Sequence, residues 1–179
     1  RQMAATYDES IKAATYARNL SPNNTRCYLL LAQAQANSGK NEEAAITLCQ
    51  ALQLQAMQSY IWSEANQQLW DSLRKMYTSF GQSDAFVLAQ PDPANPTKPD
   101  VPRYQPNLRN PVLARHFNAA GAGIVQLMLD AKDYANAEII RAYAIANFGI
   151  PESQMPHVPP VPPKSKFFDK IGKKLSAIF

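Results

Sequence analysis

The feature that most restricts this 179-residue chain is a repeated two-helix plan near its start. Leu30, Leu31 and Ala34 continue one face of a helix, and Ala44, Leu48, Ala51, Leu52 and Leu54 continue another. Gly39 stands where the first helix must stop. Asn41 is placed to cap the second, and Glu42 and Glu43 suit its positive end. Ala51, a small residue on the second helix, has a counterpart 34 residues earlier in Ala17. A single helix pair is too narrow to bury its own apolar face, so such a period calls for a neighbour stacked against it. The spacing therefore predicts an all-α fold.

The stretch Tyr7–Asn24, with its closing Leu-Ser-Pro-Asn-Asn, resembles the second helix and exit turn of a tetratricopeptide repeat. Residues 25–55 resemble a complete repeat, with Tyr28, Leu31, Ala32, Gly39, Ala44, Leu48, Ala51 and Leu54 at the family's spacing. The resemblance is looser over 58–89 and 112–149. It implies a helix-turn-helix array, an α–α superhelix whose inner face binds a partner protein or peptide. In the complete repeat that face would carry Arg26, Leu29, Gln33 and Asn37. Family members that grip a terminal carboxylate place Lys and Asn there. Leu29 and Gln33 stand at those positions here, which argues against that mode.

Residues 59–80 read as one long aromatic-rich helix. Trp62 keeps the 34-residue phase, whereas Trp70, Leu73, Tyr77 and Gly81 fit a register displaced by eight residues, and the pattern leaves both registers open. The aromatic spacing is that of a core helix more than of a binding strip. A short helix over 83–89 is expected next. A second pair follows over 113–131 and 134–148, with a family-like turn at 130–137. It departs from the family in Gly121, where a large aromatic usually stands, and in Arg141 at an apolar position.

With 6 glycines and 14 prolines, the prolines must gather outside the helices, and they do. Seven lie in 90–111, read as an extended insert lying along the surface. More fill 150–164, read as a stiff linker. The organisation is thus repeats over 1–89, the insert, a helix pair over 112–149 on the same domain, the linker, and a tail over 165–179. In that tail Phe167, Phe168, Ile171, Leu175 and Ile178 share one side of a helix, with Lys166, Lys170, Lys173 and Lys174 opposite. Gly172 weakens it by about 1 kcal/mol relative to alanine, so it needs a surface to fold on. The tail has three readings: a solvated end, a helix docked on this chain or on a partner, or a contact with an anionic membrane surface.

The formal charge of +4 belongs to that tail, where five lysines face the single acid Asp169. The rest is near neutral, which excludes a nucleic-acid-binding body. No run approaches the roughly 18 apolar residues of a membrane span. Arg1 opens directly into helical sequence, which reads as a segment of a longer chain. The compartment stays open between cytoplasm and periplasm, with or without membrane association.

Chemistry is sparse. Cys27 and Cys49 would sit about 6 Å out of level on antiparallel helices, so free, largely buried thiols are expected. His116 and His157 lack companions at ligand spacing, and no metal or cofactor is expected. His116 is expected to lie partly buried or at the surface. Gly121 and Gly123 fall inside a helical pattern and suit close packing instead of a phosphate loop. No nucleophile–base–acid set can be assembled, so the chain reads as a non-enzymatic adaptor or assembly subunit without a small-molecule substrate. The alternative is an envelope or membrane-associated accessory domain of a larger protein.

Overall fold

The computed structural model describes residues 2–58, 64–89 and 104–160. Among them are six helices: α1 (Gln2–Leu20), α2 (Thr25–Asn37), α3 (Asn41–Gln58), α4 (Glu64–Ser79), α5 (Pro111–Asp130) and α6 (Tyr134–Phe148). Two three-residue strands, β1 (Phe86–Leu88) and β2 (Tyr104–Pro106), pair antiparallel with Phe86 opposite Pro106. The all-α expectation holds, with this small ribbon added. The tail residues 165–179, the insert over 90–103, and Trp62 lie outside the described residues.

The helix ends follow local chemistry. Asn24 caps α2 by accepting from the Arg26 N–H, and Asn110 caps α5 by accepting from both Val112 and Leu113. Gly39 takes φ +81° after α2, which lets the Lys40 N–H return to the Gln35 carbonyl at 2.9 Å.

α3 is the hub. It packs against α2, α4, α5 and α6. Ala44, Ala45, Leu48, Cys49, Ala51, Leu52 and Leu54 are all buried, so α3 is enclosed nearly all round instead of presenting one stripe. Its polar residues Thr47, Gln50 and Gln53 are buried as well. Two of them tie neighbours down. Thr47 Oγ1 donates to Gln35 Oε1 on α2 at 2.7 Å, and Gln53 Nε2 donates to the Phe117 carbonyl on α5 at 2.9 Å. Burying an amide without such a partner would cost on the order of 1–3 kcal/mol.

The glycine in α5 is explained by this junction. A Cβ on Gly121 would fall 2.5 Å from Ile150 Cδ1 and 3.1 Å from Gln53 Oε1. A large aromatic there would have to displace both, so glycine suits this close approach. Arg141 is accounted for too. Its Nη2 meets Glu152 Oε1 at 2.9 Å and its Nε donates to the Pro156 carbonyl at 3.2 Å. Residues 150–160, the described part of the expected linker, therefore run as a strap along the helices, with Ile150, Met155 and Val158 buried.

Three sequence expectations need correcting. Residues 83–89 form a turn and β1, not a helix. The loop before α5 takes up their polar groups: Asn107 Nδ2 donates to the Asp84 carbonyl, and Asn110 Nδ2 donates to Gln82 Oε1 and Asp84 Oδ1. Phe86 is meanwhile drawn into an aromatic cluster with Trp70 and Tyr77. Leu30 is 56% exposed; Tyr28 is the inward residue of that turn, with its hydroxyl donating to the Pro22 carbonyl at 2.6 Å. His116, expected to lie partly buried or at the surface, is fully inside at 2% exposure. In α4, Trp70, Leu73 and Tyr77 are inside and Gly81 follows the helix end at φ +77°, while Trp62, on which the other register turns, lies outside the described residues.

Candidate functional site

A groove of about 340 Å³ lies between α2 and α4, floored by α3. Leu29, Ala32, Gln33 and Ala36 form the α2 wall. Gln68, Leu69, Ser72 and Met76 form the α4 wall, with Ala44 and Leu48 beneath. The small side chains of α2 and α3 keep the floor deep, while Leu48 and Leu69 close it from below at 9% and 8% exposure.

The sequence placed Arg26, Leu29, Gln33 and Asn37 on one face of α2, and all four are exposed. Only Leu29 and Gln33 line the groove. Asn37 stands beside it and accepts from Gln33 Nε2 at 2.9 Å, and Arg26 lies one turn before Leu29. The sequence reading missed the opposite wall of Gln68, Ser72 and Met76. Their i, i+4 and i, i+8 spacing on α4 was visible, but nothing in one chain segment says which other segment it will face.

A second recess, of about 290 Å³, is lined by Glu42, Phe80, Gln82, Val112, Arg115 and His116. At its back runs a chain of polar groups that joins α3, α4 and α5. Glu42 Oε1 lies 3.0 Å from His116 Nε2 and 3.0 Å from Arg115 Nη2. His116 Nδ1 lies 2.6 Å from Tyr77 Oη, which lies 3.6 Å from Cys49 Sγ. An ionised carboxylate only accepts, so the ring donates through Nε2; in the neutral imidazole Nδ1 then accepts from the Tyr77 hydroxyl, and the Cys49 thiol donates to Tyr77 Oη.

The electrostatics are those of a sealed brace. Burial pushes the Cys49 thiol up to about 12 and the Tyr77 phenol well above its ordinary range. Neither group is accessible as a nucleophile or base. The hydrogen bond from the His116 ring, with the electrostatic pull of His116 and then of Arg115, holds the Glu42 carboxyl below its ordinary value. Only Glu42 and Arg115 of this set reach solvent.

Cys27 and Cys49 are both free, as the spacing argued. Among the described residues no three His, Cys, Asp or Glu side chains converge as metal ligands, and no helix is long and apolar enough to cross a membrane. Compared with family models, curated proteins and solved structures, the chain matches none.

Proposed function

We propose that this chain is a protein-interaction module, an adaptor or assembly subunit that receives a partner segment in the groove between α2 and α4, and that it is not an enzyme. The observation that carries this reading is the groove's lining: ten side chains, none charged and none a cysteine or histidine. Such a surface offers shape, apolar contact and amide hydrogen bonds, which are the means of peptide recognition. The Cys49–Tyr77–His116 chain, where reactive groups do gather among the described residues, is buried and mutually satisfied.

The finer reading, a tetratricopeptide-like array, is supported by the consecutive packing of α1 on α2 and α2 on α3, and by Ala17 and Ala51 at the family period. Pull-down from extracts of the source cells, with wild-type protein and with a Leu29→Glu, Gln33→Ala variant, tests the groove. A partner lost from the variant is expected. Equal recovery by both proteins removes this surface as the binding site.

A further inference from the structure

Matched polar pairs run along the two helices that flank the groove; Gln33, Gln68 and Ser72 line it and Asn37 stands beside it. Gln33 and Asn37 are four residues apart on α2, and Gln68 and Ser72 are four apart on α4. Four residues of helix advance about 6 Å. An extended peptide repeats its same-side amide groups every two residues, about 6.8 Å. Each flanking helix thus offers hydrogen-bonding groups, in or beside the groove, at nearly the spacing of an extended main chain. The pairs also retain capacity. Gln33 gives one Nε2–H to Asn37 Oδ1, leaving its Oε1, its second N–H and the Asn37 amide N–H₂ available. Ser72 gives its proton to the Gln68 carbonyl, leaving the hydroxyl lone pairs to accept.

Apolar side chains of the walls and floor add side-chain recognition. Leu29, Leu48, Leu69 and Met76 are apolar, and methionine adapts to irregular shapes. Charge gives the segment a direction. The lining is neutral, while Arg26 continues the α2 face one turn before Leu29, exposed and without an ion pair among the described residues. A complementary ligand is uncharged in its centre and acidic at the Arg26 end. We infer that the groove binds an extended internal peptide segment, with apolar side chains at alternate positions and an acidic residue at its Arg26 end. This rests on the groove reading above and specifies its ligand.

The test uses the 179-residue chain and a displayed library of random 12-residue peptides fused at their C-termini, so that no free carboxylate is offered. Enriched peptides are expected to share alternate apolar positions flanked on one side by Asp or Glu. Leu29→Glu is expected to weaken them at least tenfold. Leu30→Glu, on the same helix and outside the groove, is expected to leave them unchanged. Arg26→Glu is expected to reverse the flanking preference from acid to base. Peptides that depend on the groove but show helical spacing of apolar residues, or need basic residues, overturn the extended-segment inference and leave the groove reading standing. An empty selection, or peptides indifferent to Leu29→Glu, overturns both.

Discussion

Tyr77 Oη and His116 Nδ1 lie 2.6 Å apart inside the protein, joining α4 to α5 although 39 residues separate them in sequence. The contact is the centre of a brace that reaches Cys49 on one side and Glu42 on the other. It sets α4, one wall of the groove, against the rest of the core.

Tyr77→Phe removes the hydroxyl and leaves His116 Nδ1 buried without its partner. The expected loss is about 1–3 kcal/mol, the usual cost of an unsatisfied buried acceptor. His116→Leu also destabilises, but the double variant should lose less than the sum, because removing the first group already abolishes the shared hydrogen bond. Urea unfolding of the four proteins measures this; strict additivity would deny the coupling.

The brace also predicts an acid response. The folded-state value of the Glu42 carboxyl is depressed, so its contribution is fully present above the ordinary value of 4.5 and is lost as pH falls through the lower folded value. Urea midpoints of wild type and Glu42→Gln should therefore differ most near neutrality and converge below about pH 4.5. Because Glu42 is solvent-exposed, added salt should shrink the neutral-pH difference. A gap that widens in acid contradicts the assignment.

Gly121 sits where added atoms meet Ile150 and Gln53. Gly121→Ala gains about 1 kcal/mol of helix propensity but meets overpacking of about 1–3 kcal/mol, so a net loss near 1 kcal/mol is expected. Ile150→Val removes the clashing Cδ1. In the wild-type background it should cost roughly 0.5–1.5 kcal/mol, and in the Gly121→Ala background it should cost less or stabilise. Denaturation of the pair and its singles checks the compensation.

Lys132, in the turn between α5 and α6, is the non-glycine residue with positive φ among the described residues, at +58°. The turn needs this conformation because the Asp133 N–H returns to the Met128 carbonyl at 2.9 Å. Left-handed backbone costs an ordinary residue about 1–2 kcal/mol, and glycine escapes most of that while giving back some chain entropy. Lys132→Gly should therefore stabilise by about 0.5 kcal/mol, read as a raised Tm, while Lys132→Ala should not.

The two thiols should separate cleanly. Cys49 is fully buried with its thiol pushed up to about 12, whereas Cys27 is half-buried. An aromatic disulfide reagent at pH 8 should release one fast equivalent from native protein, removed by Cys27→Ser, and a second only on unfolding.

By itself, the sequence determined the local elements of this protein. α5 and α6 were legible to within about two residues from apolar periodicity, although Pro111, read as part of the insert, opens α5 behind the Asn110 cap. Gly39 marked the end of α2 for the same reason: caps and glycine stops act over one turn, so adjacent residues encode them. The free cysteines followed from helix rise alone. Tertiary structure decided what lies beyond one turn's reach. It made residues 83–89 a turn and the short strand β1 instead of a helix, with Asn107 and Asn110 holding Asp84 in the turn. It buried His116 by bringing Tyr77 and Glu42 to its two nitrogens. It also made α3 the hub and set Gln68, Ser72 and Met76 across from Leu29 and Gln33. Those pairings join residues tens of positions apart, and their free energy exists only once the helices have packed, so no local pattern announces them.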